Sequence, residues 1–411
     1  MPSILKKKAM STRRYLAYVL PAIFLLIMGA QAGAAPLRPE PGSLDHANPE
    51  LIERLRADPY VFFRFVNRSW GARVCDIFRG NLGATPIVRL HGDAHLEQFA
   101  LTKDAWGLDD FDDSARGPAA IDIIRFLGSV DLLTRQRSWT KARDPLFDRF
   151  FAGYKQGFAE PDRLPPEPDI VYRLRSQAPV TRAAFLEWAE TKMEPLGDYV
   201  MKALVPGMDA FADILLRQRP DLPPEYFRIV RAGWFKTGVG SALTPKILIR
   251  VQGRSDDPGD DELLEVKKLG DLQGLRCLQM PTLQPTLRVV DGSKQIGRLK
   301  YSILAAGPES LIPEVEAQGQ HLRDWWIRNL DPSYRELRLE DMRSIADLAG
   351  IAYDAGAQLG AGHHNIQVAP QGSPTRKQAL GAIVKLEKQY RREATILIDD
   401  LLGGWRELRA D

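Results

Sequence analysis

Residues 88–125 run VRLHGDAHLEQFALTKDAWGLDDFDDSARGPAAIDIIR. His91, Asp93 and His95 fall within five residues, and Asp109, Asp110, Asp112 and Asp113 follow Gln98 within fifteen more. Only six histidines occur in 411 residues, so two in this stretch set it apart. Charges beside the apolar Val88, Leu90, Phe99 and Phe111 are costly to bury unless they are paired or bound to a cation. Two chemistries suit the set. In one, a carboxylate is a general base and the others hold Mg²⁺ against a phosphate, hard oxygen ligands suiting that ion. In the other, the His-x-Asp-x-His run and an aspartate ligate zinc or iron for hydrolysis. A solvated acidic turn with structural histidines is the plainer alternative.

Outward from this stretch, residues 48–225 carry a mostly helical pattern. Ile121, Ile124, Phe126, Leu127, Val130 and Leu133 recur at helical spacing, as do apolar residues from Phe185 through Met201 to Leu215. The period changes near residue 228. Extended runs follow at Lys246–Gln252, Leu263–Lys268, Thr286–Val290, Gly297–Leu304 and Trp325–Leu330, separated by turn signals such as DDPGDD and DGS. That pattern predicts a five-stranded antiparallel sheet over 226–330. Helices return over 331–411, one at Glu340–Gly360 and a long one from Ser373-Pro374 to Leu408, with Ser373 as N-cap. The fold class expected is α+β.

The 56 Lys and Arg against 53 Asp and Glu give a net charge of +3, but the sign is local. Residues 1–35 hold Lys6, Lys7, Lys8, Arg13 and Arg14 and no acid, leaving a body of net −2 with no basic stripe. Nucleic acid is therefore not the expected partner. A basic stretch, the apolar run Tyr15–Met28 and the small residues Ala30, Ala32, Ala34 and Ala35 predict an export signal over 1–35. The run is short for a spanning helix and contains Pro21. Membrane contact is expected only through this segment if it stays uncleaved, and the rest is expected outside the cytoplasm, in the periplasm or cell envelope. Thr12-Arg13-Arg14-Tyr15-Leu16 also has the form of a twin-arginine signal. Cys75 and Cys277 make one bridge or none.

His91-Gly92-Asp93-Ala94-His95-Leu96-Glu97-Gln98, followed by Asp110-Phe111-Asp112, resembles the catalytic segment of aminoglycoside phosphotransferases and related kinase-like enzymes. Their pattern is HGDxHxxN, then DF(D/E), then an Asp opening the next helix, where Asp122 stands here. The segment is more similar still to a bacterial family of unknown function with GDAHLENF and NDFD elements. The resemblance implies that Asp93 is the catalytic base, with His91 and His95 beside it, and that Asp110 or Asp112 binds the metal. Gln98 stands where the family has a metal-binding Asn.

Gly238-Val239-Gly240-Ser241 precedes a strand, and Lys267 or Lys268 lies on the next one, as a phosphate-covering loop and its lysine do in kinase-like enzymes. Leu243 takes the place of a third glycine. The order is reversed relative to ordinary kinases, with the catalytic segment first and the sheet after it, as in the unknown-function family. The resemblance therefore implies a circularly permuted, two-lobed protein-kinase-like fold. Its helical lobe would comprise 48–225 and 331–411, and its sheet lobe 226–330. It implies ATP and Mg²⁺ as cofactors, with Gly238, Gly240, Ser241 and Lys267 on the nucleotide. Phosphoryl transfer to a hydroxyl of a small molecule or protein would follow. Two further readings stand beside it: an inactive kinase-like binding protein of the envelope, and a metal-dependent hydrolase using His91, Asp93 and His95. His363-His364-Asn365 is read as a helix C-terminal cap.

Overall fold

The computed structural model describes residues 35–411 except 46, 82–84, 178–180, 236–245, 271, 273, 280–285, 307–324, 366–374 and 411. Pro36–Asp411 forms one unit, mixed α and β with antiparallel sheets. The predicted export segment and the Gly238-Val239-Gly240-Ser241 turn lie outside the described residues.

Two capped starts open the fold. Asn48 accepts from the Leu51 N–H at the head of α1 (Pro49–Ala57), and Asp58 accepts from the Tyr60 N–H at the head of α2 (Pro59–Phe65). Each cap is followed by proline, whose missing N–H costs nothing at that position. Then come α3 (Asn67–Phe78), β1 (Ile87–Leu90), β2 (Phe99–Leu101), β3 (Trp106–Leu108) and β4 (Ala115–Pro118). Next is α4 (Ala120–Gln136), buried nearly all round, its charged Asp122, Arg125 and Asp131 included. The chain continues through α5 (Arg143–Ala159), α6 (Asp169–Arg175), α7 (Arg182–Thr191), β5 (Met193–Pro195) and α8 (Asp198–Gln218). Strands β6 (Ile229–Phe235), β7 (Lys246–Val251) and β8 (Glu262–Lys268) follow, then α9 (Leu287–Gln295), β9 (Leu304–Ala306), β10 (Trp325–Asn329) and β11 (Arg335–Glu336). Helices α10 (Ile345–His364), α11 (Arg376–Lys385) and α12 (Glu387–Ala410) close it.

The main sheet has six strands in the order β5-β6-β7-β8-β10-β9, every neighbouring pair antiparallel. One face carries Ile247, Ile249, Val251, Leu264, Val266 and Ile327 against Val200, Leu204, Met208 and Phe211 of α8. Strand alternation therefore sends Glu265 and Lys267 to the other face. A separate core of α1–α6, α10 and α12 surrounds α4. Within it α5 and α10 cross closely. A Cβ at Gly157 would stand 1.9 Å from the Ala357 carbonyl oxygen, and one at Gly356 2.1 Å from that of Phe150. Cys75 on α3 is joined to Cys277 by a disulfide, Cα–Cα 5.4 Å. Among the described residues no helix is long and apolar enough to cross a membrane.

Several expected elements differ. The sheet gains β5 and β6, which the sequence pattern did not separate, and loses the expected strand Thr286–Val290, so it has six strands rather than five. The run Thr286–Val290, β-branched enough to suggest a strand, belongs to α9. There Arg288 donates to the carbonyls of Ser114 (2.9 Å), Gly270 (2.8 Å) and Asp112, tertiary bonds that override local propensity. Of Gly297–Leu304 only Leu304 enters a strand. The long C-terminal helix is two, broken at Leu386; Thr375 with Gln378 forms the capping box at its start, and Ser373 and Pro374 lie outside the described residues. The helix expected at 340–360 starts at the Ser344–Asp347 capping box and runs to His364.

Candidate active site at the HGDAH loop

Strand β1 ends at Leu90, and the next four residues turn on Gly92, whose φ is +94°. A Cβ there would stand 1.9 Å from the Asp113 carbonyl oxygen, so the loop backbone lies directly on the DDFDD segment and only glycine fits. Asp122, in the first turn of α4, holds this loop. Its Oδ2 accepts from the His91 N–H at 2.7 Å and its Oδ1 from the Gly92 N–H at 2.8 Å. His363 Nε2 lies 3.1 Å from the same Oδ2, and Tyr154 OH 2.8 Å from His363 Nδ1. The carboxylate can only accept, so His363 donates through Nε2 and receives the Tyr154 hydroxyl at Nδ1. The 363–365 segment does end α10, with Asn365 as its C-cap, and within it His363 is a buried anchor reached through the α5–α10 crossing.

His91 is fully buried. Its Nδ1 accepts from the Asp93 N–H (3.3 Å), so Nε2 carries the proton and donates to the Asp109 carbonyl at 2.8 Å. Both nitrogens are engaged, one in the loop and one in the acidic segment. His95 is also fully buried; its Nδ1 accepts from the Glu97 N–H (3.2 Å), and its Nε2 faces Asp93 Oδ2 at 3.6 Å. Burial, against the pull of Asp93, pushes His95 down to about 4, so it is neutral.

Asp93 receives Arg125 Nε at 2.8 Å on Oδ1 and the Gln98 amide N–H at 3.4 Å on Oδ2. Arg125 is itself buried, with Nη2 on the Phe63 carbonyl (3.1 Å) and its guanidinium carbon 3.7 Å from the centre of the Phe63 ring. Desolvation would raise the Asp93 carboxyl, but Arg125 and then His95 hold it well below the usual range. Its charge is fixed.

The four acidic residues have four different settings. Asp109 accepts two bonds from Arg328 Nη1 (2.9 and 2.8 Å), one from Tyr334 OH (2.7 Å) and one from Tyr301 OH. Arg328 also binds Glu265 at 2.7 Å through Nε. Asp110, in the left-handed region at φ 63°, and Asp112 both pair with Lys267, Asp112 at 2.6 Å. Asp113 accepts from Asn67 Nδ2 at 2.8 Å. Burial and then the Asp110 charge push Asp112 up to about 7; Asp110 is held low, against desolvation, by Lys267, Lys246 and Arg328. Asp112 Oδ1 is buried with no hydrogen-bond partner.

Of the two candidate lysines, Lys267 is the one in the site. It is fully buried opposite Trp326 in the strand register, its Nζ 5.3 Å from that ring, whereas Lys268 is partly exposed. The residues singled out in sequence thus form two linked groups. Asp93 meets His95 and Gln98, Lys267 meets Asp110 and Asp112, and His91 bridges the two segments. Gly238, Gly240 and Ser241 lie outside the described residues. Sequence reasoning missed Arg125, Asp109 as an anchor, and Arg328 with its two tyrosines. Their only signal was charge inside apolar runs, IDIIRF and WWIRNL.

Residues 45–183 match a family described as an uncharacterized protein conserved in bacteria (DUF2252). No curated protein and no solved structure matches the chain. The matched stretch holds Asp93, all four acidic residues, Asp122 and Arg125; Lys267, Arg328 and His363 are supplied from beyond it. Among the described residues no three His, Cys, Asp or Glu side chains are grouped to hold a metal ion.

Proposed function

We propose that the protein is an exported phosphotransferase with a circularly permuted, two-lobed kinase-like fold, moving a phosphoryl group from Mg-ATP to a hydroxyl acceptor. One observation carries the reading. A buried lysine of the six-stranded sheet meets two carboxylates of the acidic segment that lies against the Asp93 loop. A lysine, a metal-binding acid and a hydroxyl-orienting Asp are the parts that phosphoryl transfer needs.

The donor set suits Mg²⁺, which is commonly bound by one or two carboxylates plus phosphate oxygens and water. Asp110 and Asp112 would hold it, the unpartnered Asp112 Oδ1 being an available oxygen, with the Gln98 amide oxygen nearest in kind to the family's Asn. When bound it would neutralise charge on the phosphates. Lys267 then turns from its two carboxylates to phosphate oxygens. Asp93, kept ionised by Arg125, accepts a hydrogen bond from the acceptor hydroxyl and orients it; a carboxylate held so low positions rather than stores a proton. The Cys75–Cys277 bond supports an oxidising compartment and hence export. A hydrolase built on His91, Asp93 and His95 would require His91 to release one of the two hydrogen bonds that engage its ring nitrogens.

The test is thermal unfolding of the purified protein with and without Mg-ATP, beside Lys267→Ala. Ligand binding only the folded state adds about 2.7 kcal/mol at one hundred times Kd. A magnesium-dependent rise that the variant loses is the expected result. No rise at millimolar nucleotide refutes the nucleotide reading and leaves a kinase-like protein with another ligand.

A further inference from the structure

Strands β1 and β4 form a two-stranded antiparallel ribbon in which Arg89 stands directly opposite Arg116. Directly opposed like charges repel, and a pair of arginines here needs an anion. Val88 and Leu90 fill the inner side of β1, so Arg89 between them faces out, toward α9, where Asp291 lies 3.2 Å from its Nη2. That is the only ion pair that either arginine makes among the described residues. Arg89 is 7% exposed, yet its Nε has no hydrogen-bond partner. Arg116 makes no side-chain hydrogen bond among the described residues, and its Nε and Nη2 are buried without partners. Buried charged donors in native proteins are almost always satisfied by protein, water or an ion. Two guanidiniums against one carboxylate leave one positive charge and three nitrogen donors unanswered.

We propose that Arg89 and Arg116 form a phosphate-binding site on the outer face of this ribbon. A phosphate group presents several acceptor oxygens and a charge of about −2, which matches three donors in two guanidinium forks better than a second carboxylate would. The site is built before ligand arrives. The Gln279 N–H donates to the Arg116 carbonyl at 2.7 Å, two residues from the Cys277 disulfide, so the Arg116 backbone is pinned. Asp291 is half exposed and, on Arg89 Nη2, is the internal carboxylate competing for the same positive charge. Arg79 is paired with Asp76 on the surface and takes no part.

The experiment is thermal unfolding of the full chain, free of nucleotide and Mg²⁺, titrated with inorganic phosphate or O-phosphoserine at constant ionic strength. Malonate is the carboxylate control. The midpoint should rise with phosphate concentration. Arg116→Gln removes a side chain with no hydrogen bonds, so it should fold as well as wild type but weaken phosphate binding at least tenfold. Asp291→Asn, removing the competitor, should tighten it. O-phosphoserine binding as tightly as free phosphate assigns the site to a phosphate monoester; binding of free phosphate alone assigns it to the inorganic ion. Lys267→Ala should keep the phosphate response, which separates this site from the nucleotide cleft. No response in wild type, an equal response in Arg116→Gln, or an equal response to malonate overturns the proposal.

Discussion

Asp122→Ala tests the architecture of the candidate site without requiring its substrate. The wild-type carboxylate is fully buried and accepts three hydrogen bonds, from the His91 and Gly92 backbone N–H groups and from His363. Alanine leaves all three donors buried and unmet. Each such loss costs about 1–3 kcal/mol, so some recovery by entering water still leaves a penalty of about 3–5 kcal/mol. That is a large part of the whole stability of a typical protein, about 5–15 kcal/mol. Asp122→Asn keeps the shape and one acceptor oxygen but turns an amide N–H toward a backbone N–H, for about 1–3 kcal/mol. Guanidinium unfolding followed by tryptophan fluorescence reads both. With a slope of roughly 5 kcal/mol/M for a chain of this size, Asp122→Ala should lower the midpoint by about 0.6–1 M. Asp104→Ala, exposed in the same sequence segment, should change stability by no more than about 0.5 kcal/mol. If Asp122→Ala unfolds within that margin of wild type at unchanged slope, the loop does not hang on Asp122. The placement of His91 and Asp93 would then need another cause.

Three other outcomes are expected. Asp93→Asn strips the partner from the buried Arg125 and should cost about 3–5 kcal/mol, most of it recovered in the double variant with Arg125→Met; additive losses in the cycle would sink the ion pair. Asp112 has a folded value near 7, above its unfolded one, so its contribution is fully present below about pH 4 and is lost as pH rises toward 7; Asp112→Asn should flatten that fall and be at least as stable as wild type at pH 8, whereas identical pH profiles would count against it. Replacing both Cys75 and Cys277 by alanine frees a loop of 202 residues and should cost about 5 kcal/mol on the chain-entropy scale, seen as a lower denaturation midpoint that reducing agent reproduces in wild type; a midpoint insensitive to reduction argues that the bond does not form.

The local sequence already determined a good part of this protein. The clustering of His91, Asp93, His95 and the four aspartates marked the site, because that density of charge among apolar residues has few explanations besides pairing or chemistry. The mostly helical character of 48–225 was legible in its apolar spacing, and the extended runs at β7 and β8 announced strands of an α+β fold. Where propensity and tertiary contact disagreed, contact prevailed: TLRVV is helical because Arg288 finds three carbonyls there, and β5 and β6 are strands because the sheet edge accepts them. The choice of Lys267 over Lys268 waited on which face of β8 meets the acidic segment, a parity that one residue of register would reverse. The partners that give each charge its role were beyond local reading altogether. Arg125 lies 32 residues from Asp93, Arg328 219 from Asp109, and His363 241 from Asp122. Sequence supplies the charges, but their energies depend on what shares their burial, and only the folded chain decides which charges are buried together.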